Sequence, residues 1–360
     1  MSLRRLLLLL PLLAVTLSLA NLHSATGASD LAAMRQIGIV DAHAHVFTDS
    51  PVVLDLLERF NLRFVNITVV DPYDKGYEGV EPQQTLARGV ARAAKGRAPW
   101  VATFDAAGFE QPGFAKRVIA ELETSFRNGA VGVKIYKTIG MLIRSKDGRY
   151  VMPDDPAFSP ILDAIASNGK TLYAHIAEPA GSWKAYDPAD PDSGYYRDNP
   201  LWQMYGKPDR PAKATILAAR DRMIAQHPKL RIVGCHLGSN EEDVDEIAKR
   251  LDQFPNFAVD TAARVTHLAL QPHDKVRAFM IKYQDRILYA TDDGAQAGEN
   301  VQARVNAWQA DLERHYKYFA TNEKVKFMGK DVQGLGLPEP VVRKIFRTNA
   351  EKWVPGIVAK

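Results

Sequence analysis

The chain has 360 residues, 46% of them hydrophobic, with 46 basic against 42 acidic side chains and a formal charge of +4. Arg4 and Arg5 supply two of those positive charges at the extreme N-terminus, so the remainder is close to neutral and gives no reason to expect a nucleic-acid partner. The single cysteine, Cys235, excludes an intramolecular disulfide, and stability must come from a large core.

Met1–Arg5 is charged, Leu6 to about Ala20 is apolar, and small and polar residues continue to Ala28. That is the layout of a secretory signal peptide, and the apolar run falls short of the roughly 20 residues a spanning helix needs. The expectation is an exported protein, periplasmic or secreted, with an uncleaved membrane anchor as the competing reading. Residues 29–360 then form one domain, long for an ordinary fold but normal for an α/β barrel.

Eight short apolar runs follow: Ile37–Val46, Phe64–Asp71, Trp100–Ala106, Ala130–Lys137, Thr171–Pro179, Arg231–Gly238, Phe257–Ala263 and Ile287–Gly294. Their Val, Ile and aromatic content and their length predict strands, and their continuity predicts burial on both faces of a parallel sheet. Between them, Pro51–Asn61, Ala115–Asn128 and Asn240–Phe254 carry helical periodicity, the last with Ser239 or Asn240 as its cap and Glu241, Glu242 and Asp243 in its first turn. Eight strands alternating with helices predict a (β/α)8 TIM barrel, with a doubly wound open sheet as the alternative. An aromatic, Pro- and Gly-rich loop, Ala180–Pro211, follows strand five, and a helical C-terminal tail runs from Ala307 with a break at Gly329–Pro340. The loop either covers the C-terminal mouth of the barrel or is a surface insertion with its own aromatic cluster.

Asp41-Ala-His43-Ala-His45 ends the first strand, and alternation places His43 and His45 on one face. By itself a His-x-His is common by chance. His175 stands near the end of the fifth strand, His236 near the end of the sixth, and Asp292 at the end of the eighth. Each alone would pass as a hydrogen-bonded core histidine or an acid capping a loop. Together they fill the ring where barrel catalysis happens.

This set resembles the amidohydrolase superfamily, and from about Ile37 to Pro355 the chain is similar to its amidohydrolase-2 branch, which includes aromatic-acid decarboxylases and lactonases as well as hydrolases. Val133-Lys-Ile-Tyr-Lys137, Tyr283-Gln-Asp-Arg-Ile287 and Asn349-Ala-Glu-Lys-Trp353 are looser marks of it. The resemblance implies His43, His45, His175 and Asp292 as ligands of a divalent metal, zinc by default and manganese not excluded by an N/O ligand set. It implies either one or two ions: His236 is a ligand of the second or, in single-metal members, an acid/base or supporting group. Lys134, on strand four, is then a carbamylated bridge, a contact for a substrate anion, or a lysine reaching out of the mouth. Asp293 stands beside Asp292 as a group to orient a ligand.

With such a ligand set, a bound water becomes acidic near neutral pH and a substrate carbonyl is polarised. Asp292 would take the proton from that water, and His236 would donate a hydrogen bond to the developing oxyanion. Arg264, Tyr136 and Glu178 are candidates for substrate contact, Arg264 through a bidentate grip on a carboxylate, while Asp105 has no assigned role. Cys235 is expected to be an apolar packer. His23, His227, His267, His273 and His315 are taken as leader, surface or packing residues. The expected function is hydrolysis of an amide, ester or lactone in a small organic substrate. A non-oxidative decarboxylase of an aromatic or unsaturated acid and a non-catalytic exported metal- or ligand-binding barrel are the alternatives. The sequence leaves homo-oligomerisation open.

Overall fold

The computed structural model describes residues 29–73 and 77–358, so the expected leader, with His23, lies outside the described residues. Among those described, no helix is long and apolar enough to cross a membrane.

Nine parallel strands form one sheet. They are β1 (Val40–Phe47), β2 (Arg63–Ile67), β3 (Trp100–Thr103), β4 (Gly132–Ile135), β5 (Thr171–Ala174), β6 (Arg231–Gly234), β7 (Phe257–Asp260), β8 (Ile287–Leu288) and β9 (Gly294–Gln296). Strands one to eight pair in sequence order, and β9 pairs with β1. β8 and β9 are two halves of a single interrupted strand, because the gap between them is also bonded to β1. Ala42 N–H donates to the Tyr289 carbonyl (2.9 Å), Asp292 N–H to that of His43 (2.9 Å), and His45 N–H to that of Asp293 (2.8 Å). The result is the eight-stranded TIM barrel that the alternation of strands and helices predicts. Gly294 makes the last contact feasible, since a Cβ there would lie 2.3 Å from the His45 carbonyl oxygen.

The core has two layers. Val40, Ala42, Ile67, Val101, Val233 and Leu288 belong to the layer that fills the barrel, and the C-terminal residues Ala350, Trp353, Val354 and Ile357 join them. Trp353 is fixed there by Thr171, whose hydroxyl donates to its carbonyl (2.6 Å), and by its own indole N–H on the Asp285 carbonyl (3.0 Å). A larger apolar layer lies between the sheet and the surrounding helices, including Pro51–Phe60, Phe114–Arg127 and Val301–Ala320.

Three local expectations change. The strands are shorter than their apolar runs, so His175 and His236 stand one and two residues beyond β5 and β6. The helix expected over Asn240–Phe254 begins at Val244, where the Asp243 carboxylate caps the Asp245 N–H (2.9 Å). Glu241 lies ahead of that helix and is buried, accepting from Ala180 N–H (2.9 Å) and Lys213 Nζ (2.8 Å). The helical tail is interrupted earlier than the expected break at Gly329, by an antiparallel hairpin, β10 (Lys324–Phe327) and β11 (Lys330–Gln333).

Candidate metal centre

The mouth of the barrel is where the backbone is most strained. Non-glycine residues with left-handed φ include Ala177 (69°), His236 (57°), Leu237 (57°), Ser239 (59°), Ala263 (54°) and Asp292 (71°), all just past strands five to eight. Such strain persists where the surroundings over-determine it and concentrates at functional sites. At β6 the sharp turn requires Gly234, because a Cβ there would meet Phe257 at 2.5 Å and Gly238 Cα at 2.9 Å.

His43, His45 and Asp292 come together: Asp292 Oδ1 is 3.3 Å from Nε2 of both histidines. In each ring the other nitrogen is committed. His43 Nδ1 lies 2.9 Å from Asp260 Oδ2, and His45 Nδ1 lies 2.8 Å from the Ile67 carbonyl. Carboxylate and carbonyl oxygens only accept, so Nδ1 carries the hydrogen in both. Burial, with the neighbouring Lys134 ammonium, holds the His43 imidazole well below its usual pKa, so it is neutral and its Nε2 presents a lone pair.

His175 is outside this tight trio and is tied to His236. The His236 Nδ1–H donates to the Ala262 carbonyl (3.0 Å), which leaves a lone pair on Nε2, because burial depresses this imidazole to about 3. That lone pair accepts from His175 Nδ1 at 3.2 Å. His175 is also held well below its usual value, by burial and then by His236, so its own Nε2 is bare. This nitrogen is buried and has no hydrogen-bond partner. Burial pushes the Asp292 carboxyl up, but the charge that His236, His43 and His45 would take up in acid outweighs it and keeps it well below the usual carboxylate range.

The donor set fits a divalent cation. Lone pairs of His43 and His175 and the carboxylate of Asp292 have no proton to share among them, and imidazole nitrogens orient in this way when a hydrogen bond fixes the far side of the ring. Lys134 shares one of these lone pairs. It is fully buried, not reaching out of the mouth, and its Nζ lies 3.1 Å from His43 Nε2 and 3.2 Å from Cys235 Sγ. Its Nζ therefore lies on the His43 lone pair that an ion would take, while the Nε2 of His175 stays without a partner. Cys235 is buried as expected, and burial pushes its thiol up.

A cavity of about 560 Å³ opens over the centre, and the loop after strand five forms one wall of it through Asp192 and Tyr195. Arg264 is buried in that wall. Its guanidinium donates to Asp192 Oδ1 (3.2 Å) and the Ala263 carbonyl (3.0 Å), while its Nε has no partner. Asp192 is shared with His267, whose Nε2 is 3.1 Å away and which supports this wall without lining the cavity. Glu178 is paired with Lys137, which also donates to the Tyr195 hydroxyl (2.8 Å) and faces the Trp202 ring at 4.1 Å. Tyr136 sets its ring edge-on to His175 (5.3 Å between centroids) and donates its hydroxyl to Asp71 (3.1 Å). Asp105 is exposed and, among the described residues, accepts from Ala107 N–H (2.8 Å) alone. Asp293 is turned away, with its carbonyl on His45 N–H and a partly buried carboxyl that burial raises to about 7.

Sequence reasoning missed Asp260. It closes the apolar β7 as its one charged residue and is fully buried, accepting from His43 and, through Oδ1, from His236 N–H (2.7 Å) and Ala262 N–H (3.2 Å). A lone acid ending a buried strand was the available signal. Lys137 and Asp192 were hidden because their partners lie 41 and 72 residues away.

No curated protein matches the sequence. Among solved structures the chain is similar to a 2,6-dihydroxybenzoate decarboxylase from Rhizobium (17% identity, 88% of this chain and 98% of that one, TM-score 0.50). It is similar also to a dihydroxybenzoic acid decarboxylase from Polaromonas sp. JS666 with bound manganese and 2-nitroresorcinol (14%, 89% and 98%, TM-score 0.52). A third is a probable 2-pyrone-4,6-dicarboxylic acid hydrolase from Acinetobacter baumannii (11%, 88% and 99%, TM-score 0.49). At these identities the likeness is one of fold. The family model described as Amidohydrolase, Amidohydro_2, matches residues 40–356, and the chain belongs to that family of metal-dependent enzymes.

Proposed function

We propose that the protein is an exported metal-dependent hydrolase that cleaves an ester, lactone or amide bond in a small organic substrate. One divalent ion, zinc by default, would be held by His43, His45, His175 and Asp292. What carries the reading is the orientation of the imidazoles. Each has Nδ1 committed to a fixed acceptor, and the Nε2 atoms of His43 and His45 meet on one carboxylate oxygen. Export rests on the leader sequence alone.

A single ion is favoured over two because the Nε2 lone pair of His236 is already taken by His175. His236 then acts by fixing the tautomer of His175, and with both ring nitrogens engaged it has no N–H left for an oxyanion. When bound, the ion would supply an acidified water and a polarised carbonyl. Asp292, held as a carboxylate, takes the proton and returns it to the leaving group. Arg264, with Nε unpartnered and its other side braced by Asp192, grips an anionic group on the substrate.

The test is metal content per chain, followed by turnover of an ester, lactone and amide panel with zinc restored. The expected result is one ion, lost in His43→Ala, and hydrolysis lost in Asp292→Ala. Carbon dioxide release from a carboxylated substrate, without hydrolysis, would move the reading to decarboxylation. No metal, even after reconstitution, would end it.

A further inference from the structure

Four hydrogen bonds meet on the carboxylate of Asp41, which is fully buried two residues ahead of His43. The backbone N–H groups of His43 (3.1 Å) and Thr291 (3.1 Å) donate to Oδ1. The Thr291 hydroxyl (2.6 Å) and the Trp308 indole N–H (3.0 Å) donate to Oδ2. A carboxylate offers about four acceptor sites, and here all are filled. The two backbone N–H groups and the indole N–H can only donate, so three of the four contacts require an accepting oxygen on Asp41.

The hub encloses Asp292. Thr291, immediately before it, is bonded twice to Asp41, and the Thr291 hydroxyl also accepts the N–H of Asp293, immediately after it (3.0 Å). Asp292 itself has a φ of 71° in the gap between β8 and β9, a conformation that holds only if its neighbours impose it. The fourth donor comes from elsewhere in the fold. Trp308 lies on the helix Val301–Ala320, outside the barrel, fully buried with its ring edge-on to Phe64 (5.4 Å).

We propose that Asp41, Thr291 and Trp308 are positioning residues that hold the Asp292 carboxylate in the metal centre, so that a helix outside the barrel helps set metal affinity. The proposal rests on the metal reading above. Each part can be removed with little change of shape. Trp308→Phe takes away the indole N–H and keeps an aromatic ring. Thr291→Val takes away the hydroxyl, and Thr291→Ser restores it. Asp41→Asn would set an amide donor against donors.

The experiment titrates zinc alone into the metal-free full chain against a chromophoric chelator, with thermal melting of the metal-free and zinc-loaded forms in parallel. Trp308→Phe and Thr291→Val should each weaken zinc binding by up to about ten-fold, the low end of the range for removing a partner of a metal ligand, because both act through Asp41 and the backbone around Asp292. Thr291→Ser should recover most of the loss. Trp308→Phe also takes a donor from a buried carboxylate and should lower the metal-free melting temperature, so zinc affinity is compared well below that transition, where the metal-free chain is folded, which separates positioning from a structural role. Unchanged zinc affinity in both variants, or a loss explained by metal-free instability, would overturn the proposal. If Asp41→Asn does not fold, the Thr291 pair and Trp308→Phe decide. A wild type that binds no zinc removes the metal reading and this proposal together, whereas tight binding shared by wild type and variants removes the positioning role alone.

Discussion

Asp260→Asn isolates the chemistry that aims His43. The substitution keeps the size of the side chain and replaces one accepting oxygen with a donating amide. In the native site one oxygen serves two backbone N–H groups, those of His236 (2.7 Å) and Ala262 (3.2 Å), and the other faces His43 Nδ1 (2.9 Å). The asparagine has a single oxygen to place. Setting it on His43 would turn the amide against two buried N–H groups. Setting it on the backbone costs less, but the amide then faces Nδ1, and His43 must switch tautomer to accept from it. The hydrogen moves to Nε2, on the atom that faces Asp292 and the metal. Binding the ion forces the original tautomer back and leaves two buried donors opposed, at about 1–3 kcal/mol. At about 1.4 kcal/mol per decade, zinc affinity should fall roughly 5- to 150-fold. A chelator-competition titration measures this directly, and the metal-free protein should unfold at nearly the wild-type denaturant concentration. Zinc affinity within a factor of about two of wild type would refute the tautomer argument.

Four further outcomes are expected. His315 is buried, bonded to the Tyr289 hydroxyl, and held from the usual 6.5 down to about 3 by burial, so it stays neutral in the folded chain while the unfolded chain takes up a proton below pH 6.5. Stability should therefore fall as pH drops through that window, by about 2 kcal/mol at pH 5 from this group; urea unfolding of His315→Phe at pH 7 and 5 should show that share missing, and an identical acid dependence would contradict it. Lys137→Met leaves Glu178 buried without its cation and should cost about 3–5 kcal/mol, whereas Lys137→Met with Glu178→Leu should cost less, as read by denaturant titration. Arg264→Met should raise KM for a carboxylate-bearing substrate, by an amount equivalent to about 1.5–3 kcal/mol, and leave zinc content unchanged. Stripping the metal should lower the melting temperature in a zinc-dependent way, worth about 4 kcal/mol when free zinc stands a thousandfold above its dissociation constant.

The barrel was legible in the sequence because buried parallel strands write themselves as short Val- and Ile-rich runs, and eight of these recur with helices between them. His43 and His45 were legible because the two-residue period of a strand fixes their common face. What lay beyond was tertiary. No local pattern shows that His236 uses both ring nitrogens on Ala262 and His175, or that Arg264 is braced by a loop residue, Asp192. The hairpin at β10 and β11 escaped for a different reason. Lys324–Phe327 alternates exposed and buried residues, but at four residues it is too short to stand out from a helical tail.

The interrupted eighth strand has a consequence for how the protein is made. The two strands that close the barrel are joined through Asp41 and Thr291, which are 250 residues apart. Bringing such distant segments together costs about 5 kcal/mol of chain entropy by the logarithmic rule for loop closure. A ribosome completes β1 long before it reaches Asp292, so a nascent chain carries two of the site's histidines with no carboxylate to meet them. The centre can form only after the last strand is released and the seam has closed. On the proposed metal reading, metal uptake would mark the end of folding, and an ion retained by a truncated or partly folded chain would be held at some other place.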